Sequence, residues 1–151
     1  MAEVSFSVVV NAPPQEVWAV VGDPSNLPRW DRHITAVEGV PPHGLEQGAE
    51  YITVMRFVGV RTTVHCRVLE WEPPTWAVFA LSGILNATVA TRIEPLPPGR
   101  SRLRHEVDYH FRRNPIGELA ARSIQLIGGA YFALRHGTLA QKNQVEKPTG
   151  T

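Results

Sequence analysis

The side chains best suited to acid–base work in this chain are its histidines. The unperturbed imidazole titrates near neutrality, and His65 and His105 lie in segments that alternate like strands, with His33 just ahead of another. Arg67 follows two residues after His65. Arginine is almost never fully buried without a partner, so an inward Arg67 needs a carboxylate, a water network or a ligand oxygen beside it. Tyr51 and Tyr109 carry hydroxyls able to donate to a ligand carbonyl; packing with a wet hydroxyl is their plainer use. Other constellations fail. His105-Glu106-Val107-Asp108-Tyr109-His110 has one residue too many for the zinc-protease spacing, and on a strand its two histidines face opposite ways. The remaining histidines show no paired spacing, so no metal site is expected. No glycine-rich phosphate loop, dinucleotide fingerprint or nucleophile elbow occurs, and no cofactor is implied.

These groups can act together only if the elements around them bring them to one place. Val4, Phe6, Val8 and Val10 alternate with Ser5, Ser7 and Val9, as a half-buried strand does. Asn11-Ala12-Pro13-Pro14 stops it, and Asn11 or Pro13 can open a helix over Pro14–Val21, with Val17, Val20 and Val21 on one face. Gly22-Asp23-Pro24 ends that helix, and Asp23 or Ser25 can cap a second short one reaching Trp30. The period then switches to two. Strands are expected near Ile34–Val40, Tyr51–Val58, Val60–Glu70, Ala77–Ser82, Leu85–Ile93 and Arg102–Phe111, with turn residues between them. Connections this short favour antiparallel neighbours, since a parallel crossover needs a dozen or more residues.

After Asn114-Pro115 the apolar residues recur at helical spacing, through Ala120, Ser123, Ile124, Ile127 and Leu134 to about Gln141. One helix of about 26 residues would run about 39 Å, enough to cross a small domain. Gly128-Gly129 in its middle reads as a kink, as close packing against a strand, or as space made for a ligand. The expected organisation is one domain over 1–142 and a flexible polar tail over 143–151.

Bulk properties narrow the function classes. At 151 residues, 43% hydrophobic and 19% charged, the chain is an ordinary globular domain and not a disordered one. Net charge is +1 with the signs interspersed, which disfavours nucleic-acid binding. No apolar run approaches the length of a membrane span, no secretory signal is visible at the N-terminus, and Cys66 is the only cysteine, so a cytoplasmic location is expected.

The order of strand, two small helices, six strands and a long terminal helix resembles the START-like (SRPBCC, helix-grip) superfamily. The residues that carry the resemblance are Val8 to Trp18, Asp23 to Trp30, Val37 to Val40, and Arg67 to Pro74 with its acidic-aromatic turn and two prolines. The pattern is most similar to the polyketide cyclase/dehydrase (aromatase/cyclase) members. The resemblance implies an α+β helix-grip fold: a curved seven-stranded antiparallel sheet wrapped around the long C-terminal helix, with a ligand cavity between them. It also implies that the strand from Val60 turns Arg61, Thr63, His65, Arg67 and Leu69 inward, with Cys66 pointing away. Arg67 would then sit where those enzymes hold and polarise a substrate carbonyl. On the last strand the inward set is Leu103, His105, Val107, Tyr109 and Phe111. The family's tyrosine after the Trp30 loop is missing; Asp31-Arg32-His33-Ile34 stands there, with His33 as a substitute proton carrier.

The expected catalytic set is therefore Arg67, His65, His105 and His33, with Trp30, Tyr51, Met55, Thr63, Trp76, Tyr109, Ser123 and Ile127 contacting the ligand. The expected partner is a small hydrophobic or polyketide-like molecule, whose cyclisation or dehydration the pocket would promote. The alternative is a non-catalytic carrier of a lipid, quinone or other hydrophobic metabolite. Self-association as a homodimer is left open.

Overall fold

Tight turns set the sheet's order. The computed structural model describes residues 2–111, 113–126 and 129–147. The elements run β1 (Ala2–Val10), α1 (Pro14–Val21), a single 3-10 turn (Pro24–Asn26), α2 (Leu27–Trp30), β2 (Ile34–Glu38), β3 (Glu50–Phe57) and β4 (Val60–Glu72). β5 (Trp76–Gly83), β6 (Leu85–Leu96), β7 (Arg100–Phe111), α3 (Pro115–Leu126) and α4 (Ala130–Glu146) complete the chain. Strands β2 to β7 form an antiparallel meander, and the two small helices carry β1 across to pair with β7, so the order is β1-β7-β6-β5-β4-β3-β2. This is the expected α+β helix-grip architecture.

Local chemistry explains the corners. Val58 and Gly59 connect β3 to β4 at φ 50° and 80°, the two left-handed residues that a two-residue hairpin needs to match strand twist. Pro13 stands before α1 and Pro14 opens it, where the missing N–H costs nothing. Asp23 caps the 3-10 turn, its carboxylate accepting from the Ser25 amide at 3.0 Å. Two apolar clusters pack the interior. One gathers Tyr51, Met55, Phe57, Val64 and Ala120, the other Val10, Val17, Ile93 and Leu103 with Trp18 and Val145 against them. Burying a side chain such as Phe57 or Leu103 contributes about 1.5–3 kcal/mol.

Two expectations about the C-terminus are corrected. The single long helix is two helices, α3 and α4, and α4 starts after Gly129, whose backbone at φ 92°, ψ 179° is open essentially to glycine alone. The Gly129 amide still bonds the Ile124 carbonyl at 3.0 Å, and its own carbonyl accepts from Ala133 at 3.1 Å. Nor is the expected tail flexible from residue 143 onward: residues 143–146 are helical, and residues 148–151 lie outside the described residues. α4 continues to Glu146; Gln144 accepts from Trp30 Nε1 at 2.9 Å and donates to Asn26 at 3.0 Å, and Glu146 accepts from the Asn11 amide at 2.7 Å. These side chains dock by hydrogen bonds, which a search for an apolar stripe passes over.

Gly129→Ala should therefore lower unfolding stability by about 1–3 kcal/mol without altering the fold. Urea denaturation measures this, and wild-type stability in the variant would show that the break tolerates a side chain.

Candidate functional site

Between the sheet's concave face and helices α2, α3 and α4 lies a cavity of about 340 Å³. Its walls are mostly aliphatic and aromatic, with Phe79, Leu81, Val89 and Val107 from the sheet and Leu134 from α4. The volume lies within the range of drug-sized ligand pockets. Two polar groupings interrupt this surface.

The first spans β6, β7 and α4. His105, buried among apolar neighbours, has Nε2 2.7 Å from Gln141 Oε1 and Nδ1 2.8 Å from Thr91 Oγ1. An amide oxygen only accepts, so Nε2 carries the proton, and Thr91 must donate to Nδ1. The result is a neutral imidazole with a fixed tautomer. Burial pushes its pKa below the ordinary 6.5, with the Gln141 bond opposing. All three residues line the cavity.

The second lies across β3 and β4. Tyr51 pairs with Cys66 in the ladder and Thr53 with Val64, so both β3 hydroxyls share a wall with the thiol. Thr53 Oγ1 is 3.5 Å from Cys66 Sγ. Burial raises the Cys66 pKa against the hydrogen bonds of Thr53 and Tyr51, and burial followed by the neighbouring Cys66 raises that of Tyr51 far above its usual range. Both groups stay protonated. Also lining the cavity are Trp30, tethered to Gln144, and Asp31, whose Oδ1 is 3.0 Å from His33 Nδ1.

β4 overturns the expected orientation of its residues. Val64, Cys66 and Val68 are buried; Arg61, His65, Arg67 and Leu69 are exposed and Thr63 faces out with them. His65 pairs with Glu50 at 3.2 Å in solvent, and Arg67 stands opposite Glu50 in the ladder. Hydration of the guanidinium and imidazole outweighs anything the apolar cavity offers them. Arg67, His65 and Thr63 are therefore removed from the site, and Cys66 enters it. A bulge between Val68 and Glu70 then reverses the phase, and Trp71 turns to the inner side against Trp18 and Phe79.

Trp76 is also outside the cavity, with the Arg92 guanidinium 4.6 Å over its ring. Ser123 is buried but donates to the Leu119 carbonyl within its own helix and does not line the cavity. His33 lies behind Phe57, its ring stacked at 5.0 Å, and the Asp31 carboxylate holds it there. Ile127 lies outside the described residues. Trp30, Tyr51, Met55, Tyr109 and His105 do line the cavity. Thr91, Gln141 and Thr53 were missed. Thr91 shares parity with Leu85, Val89 and Ile93, and Gln141 follows Leu134, Gly137 and Thr138 at helical spacing, so both faces were readable. Among the described residues no three His, Cys, Asp or Glu side chains are placed to hold a metal ion.

The fold is that of the START-like proteins. The structure matches the Zhui aromatase/cyclase of Streptomyces sp. R1128 with a TM-score of 0.70 and 16% identity, covering 99% of each chain. It matches a START superfamily protein of Mycobacterium smegmatis with a TM-score of 0.68 and 19% identity, covering 95% of this chain and 97% of the other. An uncharacterized protein of Mycobacterium tuberculosis H37Rv is 30% identical over 128 residues, 83% of this chain and 90% of its own. Residues 1–131 match the family described as polyketide cyclase/dehydrase and lipid transport, and the chain belongs to that family. Among the described residues no helix is long and apolar enough to cross a membrane.

His105 gives this site a pH signature. Its pKa is lower folded than unfolded, so the unfolded chain binds the proton first. Stability is fully present above the unfolded value of 6.5 and declines as pH falls through it, by at most about 1.4 kcal/mol per pH unit. Compared with His105→Gln by urea denaturation from pH 8 to 5, the wild type should lose stability faster towards acid. Parallel profiles would show that His105 is not held neutral.

Proposed function

We propose that the chain encloses a small, largely apolar molecule in this cavity and promotes its cyclisation or dehydration, by holding it folded and moving one proton through Thr91 and His105. The observation that carries this reading is one hydrogen-bonded file, Thr91–His105–Gln141, set into an otherwise apolar wall. Family membership supports the same class of reaction. Confinement in a productive conformer supplies most of the rate, as it does for well-oriented intramolecular closures. A substrate proton passes to Thr91 Oγ as the Thr91 proton moves to His105 Nδ1, and Gln141 Oε1 steadies the imidazolium through Nε2–H. The same path in reverse delivers the proton to a departing hydroxyl, which leaves as water. No redox partner is consumed. Arg67, out in solvent, has no part in this scheme.

One observation favours the second reading, a carrier without catalysis. With Arg67, His65 and Thr63 outside, the described lining holds a single imidazole, and both its nitrogens already have partners. A carrier needs no more than one or two polar contacts, whereas catalysis needs several that converge.

Mass spectrometry of molecules extracted from the purified protein, followed by turnover of a candidate linear polyketone, separates the two. The catalytic reading expects His105→Gln to lower turnover about 100-fold or more while the protein stays folded, and Arg67→Ala to leave it within about twofold. An intact, unreacted metabolite in the extract, together with turnover indifferent to His105, establishes the carrier.

A further inference from the structure

The cavity offers a ligand neutral hydrogen-bond donors and no counter-charge for an anion. Among the described residues that line it there is no lysine and no arginine. Its one carboxylate, Asp31, already receives the His33 amide at 2.8 Å and faces the His33 ring at 3.0 Å. His105 is the one basic side chain among them, and Thr91 and Gln141 occupy its two nitrogens. The first turn of α4, at Ala130 and Ala133, brings the positive end of a helix dipole to the cavity. That end is worth about half an elementary charge, enough to favour a carbonyl dipole and too little to neutralise a carboxylate. An ionised carboxylate buried without a partner gives up its charge by taking a proton.

On the facing β3–β4 wall, Tyr51 is 6% exposed and lines the cavity. Its polar neighbour is the Cys66 thiol, and the thiol is already engaged with Thr53. The thiol is a weak acceptor for the Tyr51 hydroxyl, so the carbonyl oxygen of a ligand beside it is the stronger partner. Because burial keeps the phenol and the thiol protonated, this wall donates hydrogen bonds and carries no charge.

Resting on the ligand-binding reading above, we propose that the site selects neutral molecules bearing a ketone, quinone or ester oxygen, that Tyr51 donates its hydroxyl hydrogen to that oxygen, and that carboxylates of the same shape are rejected. Tyr51 is then the specificity-determining residue for the polar end of the ligand, and ionised fatty acids fall outside what the cavity carries.

Calorimetric titration with 2-acetonaphthone and 2-naphthoate tests this, because the probes share ring and shape and differ in a methyl group against an ionised oxygen. At pH 7 the ketone should bind at least about 100-fold more tightly, since a carboxylic acid titrating near 4 must first take up a proton. Between pH 7 and 5.5 the naphthoate should tighten about tenfold per unit while the ketone stays constant. The titratable groups facing the probe are Asp31, Tyr51, Cys66, His105 and Tyr109. They are common to both probes, so the difference in slope belongs to the probe's carboxyl. Tyr51→Phe should weaken the ketone about threefold to tenfold. Naphthoate binding as tightly as the ketone at pH 7 overturns the proposal and would mean that His105 becomes charged to meet it. Ketone affinity unchanged in a folded Tyr51→Phe variant removes Tyr51 from it. If neither probe binds, the ligand-binding reading fails first and this inference with it; a misfolded variant leaves the wild-type comparison of the two probes decisive.

Discussion

Neighbouring side chains on a strand point to opposite faces, so the first part of β4 can turn inward Val64, Cys66 and Val68 or Thr63, His65 and Arg67, but no mixture. Desolvation decides between them. The second set would place a guanidinium and an imidazole in an apolar enclosure whose only acid, among the described lining residues, is engaged by His33. The first set places there Val64 and a thiol that burial keeps uncharged, with Val68 buried on the same face beyond them. That choice of face leaves His105 as the one basic side chain among the described residues that line the cavity.

A hollow interior needs compensation elsewhere. Two apolar clusters supply packing, the first of them forming part of the cavity wall, and among the described residues no fully buried side-chain nitrogen or oxygen is left without a partner. Thr91–His105–Gln141 ties β6 and β7 to α4, and Trp30–Gln144–Asn26 ties the small helices to the end of α4. The same contacts that close the enclosure thus hold the His105 imidazole in a single tautomer and Trp30 in the cavity wall. Support of the fold and preparation of the site are one set of interactions.

The architecture was legible because strand periodicity, short turns and the resemblance agreed with one another. The β7 face was legible for the same reason, since Leu103, Val107 and Phe111 mark the apolar side on which His105 rides. On β4 two signals conflicted. The alternation of Val64, Cys66 and Val68 against Arg61, Thr63, His65 and Arg67 favoured the valines inward, while similarity to enzymes with an inward arginine favoured the reverse. The residues' own hydration outweighed the resemblance. Gln141 and Gln144 escaped notice because they are anchored through hydrogen bonds that exist only once β7 and α2 are in place. The break before α4 was marked by Gly128-Gly129, but whether two glycines bend a helix or interrupt it depends on what packs around them.

The inward face of β4 can be read directly with a neutral fluorescent probe, N-phenyl-1-naphthylamine, titrated into variants that add a benzyl ring at successive positions. Val64→Phe and Cys66→Phe should fill the cavity and reduce probe binding at least about tenfold while the protein stays folded, whereas His65→Phe and Arg67→Phe should leave it within about twofold. Loss of binding at 65 and 67, with 64 and 66 indifferent, would contradict the account at its root.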